Sequence, residues 1–313
     1  MPALRIYLSK FLSACLFMAL LASCSGRKLT PSQIVSISDY VDGVAVAKVK
    51  ELDFSYSGDF YYFVDEDLRV VEPGLRLREI SDFIDGYAVA VSNVKTGENS
   101  FESARHIFNR KGQPILTANY DESLFLVPGG KAWRPGGRGM QFVNLADTSV
   151  ILEERLWGLE VTPSGTSLLK RTRSDRHADP DGNVNLMEYM LLDRNGRILI
   201  PWGRISYIAD FSNGMARASN SIRSGYRWHV DEVSRYTAPG YSYGTYGYID
   251  EQGRWRVPEQ YGQAEDFNEA GYARVASRPY SYGERTQWKY IDRTGRVLQG
   301  AEADAARRSF NNR

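Results

Sequence analysis

A serine stands at the centre of the glycine-flanked segment Gly240-Tyr-Ser-Tyr-Gly244, a spacing typical of hydrolase nucleophiles. That chemistry needs the serine on a sharp turn between a strand and a helix. Ser242 instead lies in a Tyr- and Gly-rich stretch, and a near-copy, Tyr280-Ser-Tyr-Gly283, occurs further along the chain. Because a nucleophile would not be duplicated in this way, we expect Ser242 to be a loop residue and the chain not to be an enzyme.

Oxygen-bearing side chains alternate along residues 179–188. They are Asp179, Asp181, Asn183, Asn185 and Glu188. Such spacing wraps Ca²⁺ in loops of the EF-hand type, because this cation takes six to eight oxygen ligands. The match is incomplete, since Val184 stands where the sharp turn needs Gly and Met190 stands where the bidentate Glu belongs. A polar Asp-Gly turn is the simpler explanation, and we expect no metal and no cofactor.

Composition excludes several other kinds of site. The 313 residues include 39 Lys and Arg against 38 Asp and Glu, so there is no net basic field to attract nucleic acid. Only three His and two Cys are present, which excludes zinc clusters, iron–sulfur sites and a disulfide framework. The acidic residues could supply a carboxylate pair for glycan hydrolysis, but no pair stands out by its spacing.

Tyrosine and tryptophan are concentrated in segments 223–246 and 278–288. The residues that we nominate for binding are Tyr226, Trp228, Tyr241, Tyr243, Tyr280, Tyr282 and Trp288. Side chains of this kind stack on sugar rings or anchor protein interfaces, because they bring a large contact area at a low entropy cost. Packing between strands is the alternative explanation. The pattern favours a binding surface for a protein or a cell-wall glycan.

The N-terminus carries the pattern of an export signal. Arg5 and Lys10 are followed by an apolar run, 11–21, that is too short to span a bilayer. Leu21-Ala-Ser-Cys24 resembles the lipobox of bacterial lipoproteins. The resemblance implies cleavage before Cys24, diacylglycerol on its sulfur and a fatty acid such as palmitate on the new N-terminus. Ser25 resembles the outer-membrane pattern, so we expect a lipid-anchored envelope protein on the periplasmic face of the outer membrane.

Two phrases recur along the rest of the chain. The first phrase contains Asp, an aromatic residue and Gly, followed by a predicted strand of alternating pattern that includes Ala. It occurs at 39–46, 82–89, 210–217 and, with one residue inserted, 266–274. The second places Asp or Asn after two apolar residues, at 63–65, 107–109, 142–144, 191–193, 248–250 and 290–292. Asp39 and Asp82 lie 43 residues apart, and this period predicts six units.

Each phrase predicts strands joined by turns. The Asp of the second phrase can accept hydrogen bonds from following backbone amides, and the Gly found three residues later in four copies can take a positive φ. The small Ala of the first phrase is expected to face inward against a neighbouring unit. Each unit therefore supplies three or four short antiparallel strands, and the predicted fold class is all-β.

The segment from Tyr246 to Tyr261, continued to Val275, resembles the WG-repeat family of bacterial proteins. Tyr246-Gly247 and Trp288-Lys289 replace the Trp-Gly pair that names the family, and the resemblance is weakest over 117–185. It implies β-rich repeats without enzymatic activity. A period near 43 favours blades of a β-propeller, with an open array of hairpins as the alternative.

The predicted organisation has four parts: a signal peptide (1–23), a lipidated tether (24–35), a repeat domain (36–300) and a polar C-terminal tail (301–313). We expect a membrane-anchored, non-enzymatic module that binds an envelope protein or a glycan. The rival hypothesis is a periplasmic glycan hydrolase or lyase whose carboxylates converge in a propeller channel.

Overall fold

The computed structural model describes residues 27–53, 56–71, 76–95, 101–174, 184–220, 225–227, 245–277 and 286–311. Within these ranges the chain forms β-strands, one short 3₁₀ turn and one helix. The paired strands in these ranges run antiparallel. The all-β prediction is therefore confirmed.

The first compact unit, residues 1–153, contains three consecutive meanders, which we call M1, M2 and M3. M1 consists of β1 (Ile34–Ile37), β2 (Val44–Asp53) and β3 (Tyr56–Asp65). M2 consists of β4 (Leu77–Ile80), β5 (Tyr87–Lys95), β6 (Phe101–Asn109) and β7 (Pro114–Asn119). M3 consists of β8 (Phe125–Val127), β9 (Lys131–Pro135), β10 (Met140–Asn144) and β11 (Val150–Glu154). M1 gains a partial fourth strand through the bridge between Val64 and Val70.

The second compact unit, residues 154–313, contains the meanders M4, M5 and M6. M4 consists of β12 (Gly158–Val161), β13 (Ser167–Ser174), β14 (Val184–Leu192) and β15 (Ile198–Ile200). M5 consists of β16 (Tyr207–Ile208), β17 (Met215–Ser219), β19 (Tyr246–Asp250) and β20 (Trp255–Tyr261). M6 consists of β21 (Gln263–Ala264), β22 (Ala273–Ala276) and β23 (Lys289–Ile291). A further short strand, β18 (Gly225–Arg227), pairs with β14. Apart from β18, the described strands thus divide into six meanders of three or four strands, and the pairing of Tyr61 on β3 with Leu77 on β4 joins M1 and M2 in one seven-stranded sheet.

Two-residue turns form at three copies of the first phrase. Asp42 and Gly43 have φ values of 53° and 77°, and Val41 and Val44 exchange backbone hydrogen bonds of 2.9 and 3.1 Å across them. The equivalent pairs in M2 and M5, Asp85-Gly86 and Asn213-Gly214, also have positive φ values. Positive φ at both central residues matches the right-handed twist of a β-hairpin, which is why Asp-Gly and Asn-Gly recur here.

The second phrase forms the turn that the sequence predicts. The Asp250 carboxylate accepts hydrogen bonds of 3.0 Å from the backbone amides of Gln252 and Arg254, and Gly253 adopts a φ of 73°. The same pair of side-chain hydrogen bonds recurs at Asp65, Asn109, Asp193 and Asp292. These Asp and Asn residues therefore stabilise turns.

Neighbouring meanders share hydrophobic cores. In the first unit, Phe63 of M1 packs with Phe108 of M2, and residues of M2 and M3 form a second cluster. In the second unit, one cluster joins M4 to M5 and another joins M5 to M6. The predicted inward alanines, Ala45, Ala88, Ala216 and Ala273, are buried.

Two boundaries differ from the sequence prediction. Residues 27–35 are part of the fold rather than a tether, because Leu29 is buried against the M1 core and residues from Ile34 onward pair with β2. Residues 301–313 are not simply a polar tail, since helix α1 spans Gly300–Asn311. The helix forms because this segment is rich in Ala, Glu and Arg, which have high helix propensity, and it packs on M6 through Phe310 and buried Ala306.

None of the sheets formed by the described residues closes on itself. Arrangement of the meanders as a propeller or as an open array therefore stays a prediction. In the part of the chain that the structure describes, no helix is long and apolar enough to cross a membrane.

Candidate functional site

By sequence position, the nominated aromatic residues all fall between the second and third strands of a meander. These connections are 54–55 in M1, 96–100 in M2, 136–139 in M3, 175–183 in M4, 220–245 in M5 and 277–288 in M6. The longest are those of M5 and M6, which carry the nominated aromatic residues. By sequence position, the nominated aromatic residues therefore fall in corresponding connections of two consecutive meanders.

Many of the nominated residues lie outside the described part of the chain. These are Cys24, Asp179, Asp181, Asn183, Trp228, Tyr241, Tyr243, Tyr280 and Tyr282. Tyr226 lies on β18, where its backbone is opposite Asn185 of β14. This pairing brings a segment of the M5 hairpin onto the sheet of M4.

Trp288, a nominated residue, is stacked on an arginine of its own meander. The Arg274 guanidinium lies 4.5 Å from the centre of the Trp288 ring and 5.7 Å from that of Phe310. Arg274 also donates a 3.0 Å hydrogen bond from Nε to Glu265, and its Nη2 contacts the other oxygen of the same carboxylate. The two-point contact fixes the plane of the guanidinium, which in turn supports the indole ring.

M5 contains a related cluster around Arg217. The guanidinium lies 5.3 Å from the centre of the Tyr246 ring and 5.8 Å from that of Tyr207. It donates to the Ala264 carbonyl at 2.6 Å and pairs with Asp266 at 3.4 Å. Burial raises the pKa of Tyr207 to about 12, so this phenol stays neutral at physiological pH.

The two clusters are equivalent by position in the repeat. Arg217 and Arg274 each follow the inward Ala of the first phrase, and Tyr246 and Trp288 each stand two residues before a Tyr-Ile-Asp triplet. Sequence reasoning singled out the aromatic residues but missed the arginines. The recurring Ala-Arg pair was the available signal. These arginine–aromatic clusters give the M5 and M6 hairpins rigid bases.

Gly247 follows Tyr246 at the position that names the repeat. A Cβ atom built on Gly247 would lie 2.4 Å from the Val257 carbonyl oxygen and 2.7 Å from the Pro258 carbonyl carbon. No side chain fits there, because the obstructing atoms belong to the backbone of β20. Glycine is required here by the close approach of two strands.

Glu188, the last of the weak Ca²⁺ candidates, forms an ion pair. Its carboxylate accepts a 2.9 Å hydrogen bond from Nε of Arg171, whose guanidinium lies 4.2 Å from the centre of the Trp202 ring. The Trp202 indole donates to Glu154 at 3.2 Å. Glu188 is therefore engaged within M4. Among the described residues, no three His, Cys, Asp or Glu side chains are grouped so as to hold a metal ion.

The neighbouring carboxyl groups of Glu160 and Asp210 lie in strongly different environments. Burial raises the pKa of Glu160 to about 7, and the nearby Asp210 carboxylate adds to this effect. Oε1 of Glu160 accepts a 2.9 Å hydrogen bond from the Phe211 amide, and Oε2 is buried. Partial burial acts to raise the pKa of Asp210, but its ion pair with Lys170 leaves it below the usual value.

His106 is buried in M2, with 5% of its surface exposed. Its Nε2 lies 2.7 Å from Ser92 Oγ and its Nδ1 lies 3.0 Å from Thr117 Oγ1. Burial lowers the pKa of His106 to about 4. The ring is therefore a neutral core residue whose two nitrogens are both hydrogen-bonded.

Comparisons with solved structures return proteins of low sequence identity. The β-propeller domain of the Trilobed protease from Pyrococcus furiosus is 11% identical, with a TM-score of 0.35 over 85% of this chain and 84% of that chain. A eukaryotic initiation factor is 8% identical, with a TM-score of 0.34 over 85% and 75%. PorZ, a surface component of the type-IX secretion system of Porphyromonas gingivalis, is 10% identical, with a TM-score of 0.24 over 86% and 38%.

Sequence comparison identifies the repeat itself. No curated protein matches the chain, but residues 189–220 and 246–276 match the family model described as "WG containing repeat". Each matched segment begins in the third strand of one meander and ends at or just beyond the second strand of the next. Residues 189–220 and 246–276 of the second compact unit are therefore similar to WG-containing repeats, and each matched segment contributes strands to two successive meanders.

Proposed function

We propose that this protein is a membrane-anchored, non-enzymatic β-repeat module of the bacterial envelope, which binds a protein or cell-wall glycan through the M5 and M6 hairpins. The observation that carries the proposal is the placement of the nominated aromatic residues on equivalent connections of consecutive meanders. Arg217 and Arg274 support it, because they brace the aromatic side chains at the bases of these hairpins.

The hydrogen bonds of four acidic residues of the second phrase also support binding over catalysis. Asp65, Asp193, Asp250 and Asp292 accept backbone hydrogen bonds within turns. Carboxylates engaged in this way serve the fold, whereas glycan hydrolysis needs two carboxyl groups that face the substrate.

The anchor is the thioether-linked lipid that the lipobox resemblance implies for Cys24. Fractionation of cells that express the full chain, combined with labelled palmitate, tests it. Wild-type protein is expected to carry label and to sediment with outer membranes. The Cys24→Ser variant is expected to lose both properties. Unlabelled wild-type protein in the soluble fraction would refute the anchor.

Mild crosslinking in cells, followed by purification and mass spectrometry, tests the binding surface. The variant Tyr241→Ala/Tyr243→Ala/Tyr282→Ala is compared with Tyr120→Ala, which removes an exposed tyrosine from M2–M3. We expect a specific partner that is retained by the control and lost from the triple variant. A partner bound equally by both would place the binding surface elsewhere. A comparison of binding to purified peptidoglycan, with the same variants, covers a glycan partner.

The Glu160–Asp210 pair favours a second candidate function, a glycan-active enzyme. A carboxylic acid with a pKa near 7 beside an ionised carboxylate is the arrangement that acid catalysis requires. The purified protein would then release soluble fragments from peptidoglycan, and Glu160→Gln would abolish the release. Glu251→Gln serves as the control. Absence of turnover by the wild-type protein would eliminate this candidate.

A further inference from the structure

The edge strand closest in sequence to Cys24 exposes apolar side chains. Val35 and Ile37 of β1 are 56% and 41% exposed, and Tyr40 and Val41, which follow the strand, are 38% and 37% exposed. We call these four residues the β1 patch. The four exposed apolar side chains fall within seven residues of the chain.

The repeat supplies an internal comparison for this strand. Residues 34–40 (Ile-Val-Ser-Ile-Ser-Asp-Tyr) align with residues 77–83 (Leu-Arg-Glu-Ile-Ser-Asp-Phe) of M2. The two segments fold alike, since Ser38 and Ser81 accept equivalent hydrogen bonds from Val46 and Val89, of 2.9 and 3.0 Å.

Arg78 and Glu79 of M2 occupy the places that Val35 and Ser36 occupy in M1. Both residues of M2 are exposed. The fold therefore accepts charges at these places. Apolar Val35 is therefore not a requirement of the meander, whereas Ile37, Tyr40 and Val41 have the apolar counterparts Ile80, Phe83 and Ile84 in M2. The exposed apolar side chain that is specific to M1, Val35, occurs in the meander next to the anchor.

From Arg27 onward the chain is hydrogen-bonded to M1. The Arg27 carbonyl accepts a 2.8 Å hydrogen bond from the Val70 amide, and the Leu29 amide donates to the Leu68 carbonyl at 2.9 Å. Three residue steps separate Cys24 from Arg27, and at full extension they span only about 10 Å. A lipid on Cys24 would therefore hold M1 close to the bilayer.

Strand pairing relates one residue of the β1 patch, Ile37, to the face of M1 that Arg27 contacts. The Arg27 guanidinium lies 5.3 Å from the centre of the Tyr62 ring. Tyr62 pairs with Ala47, and Ala47 pairs with Ile37. Two strand spacings, or about 10 Å, therefore separate the backbones of Tyr62 and Ile37.

We propose that the β1 patch is inserted in the interface of the phospholipid bilayer that holds Cys24. The proposal rests on the lipid anchor proposed above. Aliphatic side chains accompanied by a tyrosine are the composition that membrane interfaces favour, and their burial adds to the binding of the acyl chains. The anchor and the patch together would fix the orientation of M1 at the membrane.

Fluorescence quenching by spin-labelled lipid tests this proposal. The lipidated full-length protein is reconstituted in vesicles of phosphatidylethanolamine and phosphatidylglycerol that contain doxyl-labelled lipid. A bimane dye is attached to a cysteine introduced by Val35→Cys, Val41→Cys or, as the matched control on β4, Arg78→Cys. Because interfacial side chains lie within several ångströms of the acyl chains, we expect about twofold stronger quenching at positions 35 and 41 than at 78.

A charged variant completes the test. Val35→Arg/Ser36→Glu copies the β4 residues onto β1, and it is expected to lower the quenching at position 41 while the protein still floats with the vesicles. Protein that floats but shows equal quenching at positions 35 and 78 would overturn the inference alone. Protein that fails to float, and whose mass shows no lipid, would overturn the anchor and the inference with it.

Discussion

His106 has a pKa in the folded protein, about 4, that lies below the usual value of 6.5. The unfolded chain therefore binds more protons than the folded chain between these two values. The contribution of His106 to stability is complete above pH 6.5, falls as the pH drops from 6.5 to 4, and is constant below that range.

Substitution of this ring should change the pH dependence of stability. Wild-type protein is expected to lose up to about 3 kcal/mol through His106 between pH 7 and pH 4. His106→Gln, which keeps a polar group but cannot titrate, is expected to show a correspondingly shallower decline. Urea unfolding at pH 7, 5.5 and 4 measures the difference. If the free energy of unfolding fell equally with pH in the two proteins, the lowered pKa of His106 would be contradicted.

Gly253 and Gly214 distinguish two reasons for glycine at a turn. One is the backbone conformation, and the other is the space available for a side chain. Both have a positive φ, of 73° and 77°. A Cβ atom on Gly253 would lie 3.0 Å from Cγ1 of Ile200 in M4, whereas one on Gly214 would meet nothing within 4 Å. Alanine at either position is expected to cost about 1 kcal/mol through left-handed strain.

Gly253→Ala is expected to be more destabilising than Gly214→Ala by about a further 1 kcal/mol, because it also forces M5 away from M4. Thermal and urea unfolding of the two variants provide the comparison. Equal losses would show that Ile200 moves aside without cost.

At the scale of single residues, the sequence predicts the hydrogen bonds of turns better than those of buried side chains. The Asp and Gly of the second phrase lie within a few residues of their partners, so spacing alone identifies their role. His106 is bonded to Ser92 and Thr117 on the two adjacent strands. Such partners depend on strand register, which composition and periodicity do not provide.

At the scale of elements, Arg274 connects β22, the start of β23 and helix α1. Its guanidinium contacts Glu265, Trp288 and Phe310. Arg274→Lys keeps the charge but loses the planar group that bonds Glu265 at two points and stacks on the rings. We expect this variant to lose about 1–2 kcal/mol of stability.

Arg194→Lys, at an exposed turn of M4, provides the control and is expected to leave stability unchanged. The fluorescence of Trp288 provides a second measurement, since loss of the stacked guanidinium should alter its emission. Full stability and unchanged emission in Arg274→Lys would show that the contact contributes little.

The strands and their grouping follow from the 43-residue period, because each unit repeats the same turns. Helix α1 has no counterpart in the repeat, so the period gave no indication of it. Its Ala-rich composition did provide a local signal. The nominated aromatic residues were assigned to loops, but their sequence positions define no contacts with a partner, so the binding surface remains a prediction.

At the scale of the whole molecule, α1 protects the last meander. Phe310 contacts the Tyr290 ring at 5.8 Å, Ser309 contacts Asn268 at 2.7 Å, and Ala306 is buried. Terminal repeats of a stacked array need such a cap, because one face lacks a neighbouring repeat.

Removal of residues 299–313 is expected to expose the M6 core and to promote aggregation. Light scattering and hydrogen exchange at β22 and β23 measure the effect, and Ala306→Glu should weaken M6 in the same direction. Removal of 312–313 alone serves as the control. A soluble truncated protein with unchanged protection of M6 would contradict the capping role.

The meander topology has a consequence for how the chain folds. Most strand pairs in the described residues join segments that are adjacent in sequence, apart from β18 on β14. An all-β protein of this kind has a low contact order, so its folding rate should exceed that of sandwiches or barrels of similar size. Each meander can close soon after its third strand becomes available. A chain exported N-terminus first could thus fold stepwise as it emerges, with α1 added last.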